Sequence, residues 1–130
     1  MAINTELLTG TLQHIDANRG DWYQGCWRSC IAGHAVALAG GKWATDAVHP
    51  LHFVLVPEDD DLTKDVRTYG PADGWDGEPL QAVPVQARAK RVLGLDDDQA
   101  FRLFASTNDL PRLYTIVSDL CEQADREAAA

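Results

Sequence analysis

The spacing of the last apolar residues limits most strongly what this chain can become. Leu110, Leu113, Tyr114, Val117, Leu120, Cys121 and Ala124 recur at three- and four-residue steps. That period places them on one face of an α-helix, whereas a strand would need alternate residues to share a face. Asn108 or Asp109 can cap this helix and Pro111 suits its first turn. Its end, DREAAA, is expected to fray. A helix with so long an apolar stripe is stable only when other elements cover that stripe, so the rest of the chain must supply them.

The upstream sequence supplies more helices. In residues 3–18, Leu8, Leu12 and Ile15 form a stripe with Leu7 beside it; Asn4 or Thr5 is the expected cap and Gly20 the stop. Trp22, Tyr23 and Trp27 follow in a connection, where their size predicts packing onto the core. A helix is expected over residues 30–39, capped by Ser29 and stopped by Gly40 and Gly41. Its side chains are unusually small, with Ala32, Gly33, Ala35, Ala37 and Ala39. A helical glycine costs about 1 kcal/mol against alanine. The cost is offset where another element must come close, so this helix is expected at the centre with Cys30 and His34 buried. Val85, Ala89, Val92 and Leu93 share a further helical face that Gly94 ends. In LDDDQAF, Asp96 and Gln99 form a capping box and Leu95 a hydrophobic staple, opening a short helix that buries Phe101, Leu103 and Phe104.

The pattern changes between residues 42 and 83. Residues 51–56 read as a strand ended by Pro57, and VRTYG as its partner in a hairpin. Residues 70–84 are dense in Gly, Pro and Asp and read as an irregular loop. The expected fold is mainly α (α+β): one domain over residues 1–130, of about five helices, with its helical core in 3–41 and 84–128 and a small β-hairpin insertion at 42–83.

Charge and cysteine content narrow the function. The chain has 130 residues, with 20 acidic and 11 basic side chains and a formal net charge of −9. A surface this acidic repels phosphate backbones and anionic lipid, so neither nucleic acid nor membrane is an expected partner. No apolar stretch is long enough to cross a bilayer. Three cysteines are an odd number, unlike a secreted disulfide framework, and MAINTELLTG has no basic start before an apolar run; a cytoplasmic location is expected.

Chemistry could reside in a few residue groups. Cys26, Cys30 and His34 stand four apart, and with Cys121 or His14 they number enough ligands for zinc or iron. The spacing is not that of a zinc ribbon, and the alternative is that Cys30 and His34 are packing residues. A thiol in the first helical turn also gains acidity from the helix dipole, so Cys30 with His34 or His52 as base is a candidate hydrolase pair, though no third orienting residue is evident. Residues 58–61, with Asp65, lack the glycine and alternation of a calcium loop and read as a solvated turn. Arg88, Lys90 and Arg91 are the one basic cluster, expected to pair with Asp and Glu within the chain. No cofactor is expected. Tyr69 and Trp75 are the aromatics expected to be exposed on loops, where interfaces place their anchors. Trp75 is flanked by Asp73, Asp76 and Glu78, so its partner is expected to be a protein with a basic face. Binding without catalysis is the reading these residues favour.

Two stretches, CIAGHAVALAG and RAKRVLGLDDDQAFRLFASTNDLPRLYTIVSDL, resemble a group of small uncharacterised helical proteins of actinobacteria and their phages. The matching positions are Trp22, Cys30, Ala32, Gly33, His34, Ala35, Leu93, Gly94, Leu95, Ala100, Leu103, Phe104, Leu113, Ile116, Val117 and Leu120. The resemblance covers about half the chain and leaves out the insertion. It implies a fold and a source but no activity; a phage or prophage origin would imply a modulator of a host protein. Many members carry an aromatic where His34 stands, which favours a packing role for it.

Overall fold

The computed structural model describes residues 2–26, 29–41, 53–55, 67–69 and 80–129. Among them are five α-helices and three short strands. The helices are α1 (Thr5–Ala17), α2 (Ile31–Leu38), α3 (Val85–Leu93), α4 (Asp97–Phe104) and α5 (Leu110–Ala129). The strands are β1 (Phe53–Leu55), β2 (Arg67–Tyr69) and β3 (Leu80–Pro84). The mainly helical class expected from the sequence is the class observed.

α2 lies at the centre, packed against α1, α3 and α4, and α5 covers α1 and α4. Its short side chains allow this: Ile31, Ala32, Gly33, Ala35 and Val36 are all buried. The stripe of α1 joins them through Leu8, Leu12 and Ile15, and α5 contributes Leu113, Ile116, Val117 and Leu120. Tyr114, expected in that stripe, is instead exposed. α5 continues into the DREAAA end, as far as Ala129.

Local chemistry sets most helix ends. The Asn4 carboxamide accepts the Leu7 N–H and caps α1. α1 ends at Asn18 rather than at Gly20, which falls inside a 3-10 turn, Arg19–Asp21. Asp109 caps α5 by accepting the Arg112 N–H. After α3, Gly94 takes a left-handed φ of +69°, and the Gly94 and Leu95 N–H groups donate to the Arg91 and Lys90 carbonyls. No other residue fits at this position. A Cβ on Gly94 would lie 2.1 Å from the Ala2 carbonyl oxygen, because the N-terminal strand of chain crosses here and Asn4 N–H donates to Leu93 O at 2.8 Å. α2 begins one residue later than expected: Cys30, not Ser29, is its N-cap.

The strands depart from the expected hairpin. Both predicted strands form, but they pair with β3 and not with each other, in the order β1-β3-β2. Both pairings are antiparallel, with Val54 opposite Val83 and Thr68 opposite Gln81. β3 lies in the stretch expected to be an irregular loop. It is five residues long and runs straight into α3, and its strand state depends on partners on both sides, which local composition cannot register. Pro84 stands at its last position, where a missing N–H is tolerated.

Candidate functional site

α4 is held at both ends. At its start, Asp96 accepts the Gln99 N–H at 2.8 Å and the Gln99 side chain accepts the Asp96 N–H at 2.9 Å, which is the capping box expected from LDDDQAF. At its end, two buried amides take the carbonyls that the helix leaves over. Asn108 Nδ2 donates to Arg102 O and Leu103 O at 2.8 and 3.1 Å. Gln24 Nε2 donates to Leu103 O and Ala105 O at 3.1 and 3.2 Å. The Gln24 oxygen in turn accepts from Trp22 Nε1 and from Ile31 N–H, so one side chain ties α4, the aromatic connection and the start of α2.

Between α3 and the α4 so fixed lies an open groove of about 1020 Å³. Gln86, Ala87, Lys90 and Arg91 line it from α3, and Asp97, Ala100, Phe101 and Phe104 from α4. Leu95, Ala100 and Phe104 are buried, whereas Phe101 is 83% exposed. Burial of Phe101 was expected, and the helical period explains the difference. Ala100, Leu103 and Phe104 point to one side, and Phe101 lies about 100° round the helix from the centre of that side. Gln24 and Gly25 line one end of the groove. The Tyr23 ring rests on Gly25, where a Cβ would come within 2.8 Å of it, and is itself 68% exposed. Of the connecting aromatics, then, Trp22 packs on the core, Tyr23 does not, and Trp27 lies outside the described residues. Lys90 pairs with Asp97 across the groove, as the basic cluster was expected to do.

The residues expected to carry metal or thiol chemistry are arranged differently. Cys30 is buried, and burial pushes its thiol pKa up, outweighing the Gly33 and Ala32 N–H groups that pull it down. The expected acidified thiol at the helix start is thus reversed in direction. His34 is only half-buried; its Nε2 is 3.1 Å from the Asp21 carbonyl oxygen, and its ring meets that of His14. Cys26, half-buried, lies in the turn before α2, where its carbonyl accepts the Cys30 N–H. Cys121 belongs elsewhere, 3.8 Å from Thr9 Oγ1 on α1. Thr9 and His14 are about 140° apart round α1, so Cys121 and His34 sit on opposite flanks of that helix. The four expected ligands do not converge. Among the described residues, no group of three or more His, Cys, Asp or Glu side chains is placed to hold a metal ion. Tyr69 lies in β2, while His52, Trp75 and the acidic run at 58–61 lie outside the described residues.

A separate polar cluster joins α1 to α5. Arg19 Nε donates to Asp16 at 3.0 Å, and hydrogen bonds from Arg19 first and Tyr114 second hold the Asp16 carboxyl below its usual range. Among the described residues, no helix is long and apolar enough to cross a membrane. Comparison with protein-family models, with curated proteins and with solved structures gave no match.

Proposed function

We propose that this chain is a cytosolic protein-binding domain that receives an apolar anchor of its partner in the α3–α4 groove. The observation that carries this reading is Phe101, 83% exposed beside the buried Ala100 and Phe104. Covering a phenylalanine side chain is worth about 1.5–3 kcal/mol, and the protein's own core leaves that unused. Tyr23 adds a second exposed aromatic at the groove's end. An exposed aromatic beside an apolar cleft is a common form of interface anchor.

The partner segment carries Lys or Arg beside its anchor. Lys90 is already paired with Asp97, and α4 opens with exposed Asp96, Asp97 and Asp98 one turn from Phe101. At long range the net charge of −9 steers basic surfaces in. The resemblance to small actinobacterial and phage proteins supports a host protein as the source of that segment.

A displayed library of random peptides, selected on the full chain and then compared on Phe101→Ala, tests the proposal. Enriched peptides are expected to hold a large apolar side chain among basic ones. They should bind the variant about 30-fold or more weakly, the loss that a 2 kcal/mol hot spot implies, and bind wild type more slowly as salt rises. Enrichment of peptides that bind wild type and Phe101→Ala equally, or of none at all, overturns it.

A further inference from the structure

Two of the four histidines meet where the last turn of α1 approaches α2. The His14 and His34 ring centres are 5.3 Å apart and their planes are inclined by 53°. The Asp21 carbonyl oxygen, 3.1 Å from His34 Nε2, can only accept a hydrogen bond, so Nε2 carries the proton. In the neutral imidazole this leaves the lone pair on Nδ1. One ring nitrogen donating to a carbonyl while the other stays bare is how a metal-ligating histidine is held in place. Among the described residues, the His14 ring contacts His34 and takes part in no hydrogen bond. The spacing also fits: an ion about 2.0–2.1 Å from one nitrogen of each ring, at the tetrahedral angle, sets the ring centres about 5 Å apart.

We propose that His14 and His34 form a two-imidazole site for a late first-row divalent ion of the zinc or nickel type, its coordination completed by water. Imidazole nitrogens select such ions over calcium and magnesium, which take oxygen ligands. The site needs no thiolate, which agrees with the burial of Cys30 and the placement of Cys121 on the far flank of α1. An ion bound here cross-links α1 to α2 and, through Asp21, holds the 3-10 turn between them.

The experiment is a titration of the full chain with nickel(II) chloride, followed by calorimetry and by nuclear magnetic resonance of the histidine rings. One ion per chain is expected, with the His14 and His34 ring signals broadened first. Nickel(II) and zinc(II) should each raise the melting temperature, and calcium should not. His14→Gln changes an exposed side chain, and His34→Gln retains an N–H donor for Asp21 O, so both are expected to fold. Each should weaken nickel binding at least tenfold; should His34→Gln fail to fold, His14→Gln decides alone. The proposal falls if millimolar nickel gives no heat and no melting shift, since the rings then make a packing contact only. It falls equally if His14→Gln binds nickel like wild type, since the ion is then held elsewhere.

Discussion

At Cys30, two influences of opposite sign act on one thiol. The start of α2 offers N–H groups that favour the thiolate, and burial favours the neutral thiol. Burial dominates because the side chain is only 1% exposed and a thiolate there would have little solvent. The result is a stability effect with a definite sign. Above the ordinary thiol value, about 8.5, the unfolded chain releases a proton that the native thiol keeps. The native state then binds more protons, so its stability is full below that pH and is lost as pH rises through the higher native value. The urea midpoint is therefore expected to decline on the alkaline side of about pH 8.5, and Cys30→Ala should flatten the decline. Tyr114, exposed but raised by partial desolvation and then by Asp16, titrates from a higher ordinary value and keeps its share in the variant. An equal alkaline slope in Cys30→Ala would show that the thiol is not its source. Cys30 was legible in the sequence as a helix-start residue, but its depth was not. Depth depends on what α1 and α3 lay over α2, and that is not a local property.

At the scale of elements, two features read correctly are built from neighbours in sequence. The Asp96–Gln99 capping box spans four residues, and the Gly94 stop needs only the last turn of α3. Eight residues make a helix that is marginal by itself, so α4 depends on its caps and its packing. Asp96→Ala is expected to destabilise the protein by about 1 kcal/mol, within 0.5–2, measured by chemical denaturation. A cost near zero would mean that packing alone sets the start of α4. Two features that local sequence did not show depend on partners far along the chain. β3 is a strand because β1 and β2 flank it, and Gln24 holds the end of α4 from about 80 residues away. Removing the Gln24 amide would strand the buried Ile31 N–H, a loss of about 1–3 kcal/mol, whereas Leu103 O and Ala105 O keep the Asn108 side-chain amide and the Asn108 N–H as donors.

At the scale of the whole molecule, the two phenylalanines of α4 divide stability from binding. Phe104 belongs to the core and Phe101 does not. Phe104→Ala is expected to cost about 3–5 kcal/mol, and Phe101→Ala to change stability by no more than about 0.5 kcal/mol. Urea unfolding of both variants gives the comparison, and a large loss in Phe101→Ala would return that ring to the protein's own core. The helical period around Ala100, Leu103 and Phe104 already held the information that Phe101 points away, which aromatic content by itself does not carry. By itself the sequence determined the mainly helical class, the stripes of α1, α3 and α5, the Asp96 cap and the Gly94 stop. These follow from periodicity and from hydrogen bonds that span a single turn. Only the tertiary structure decided which strands pair, that Cys121 and His34 face opposite flanks of α1, that His14 meets His34, and that α3 and α4 leave a groove beside Phe101. Those outcomes depend on how finished helices pack against one another, and side-chain volume and burial fix that packing only once the whole chain has closed on itself.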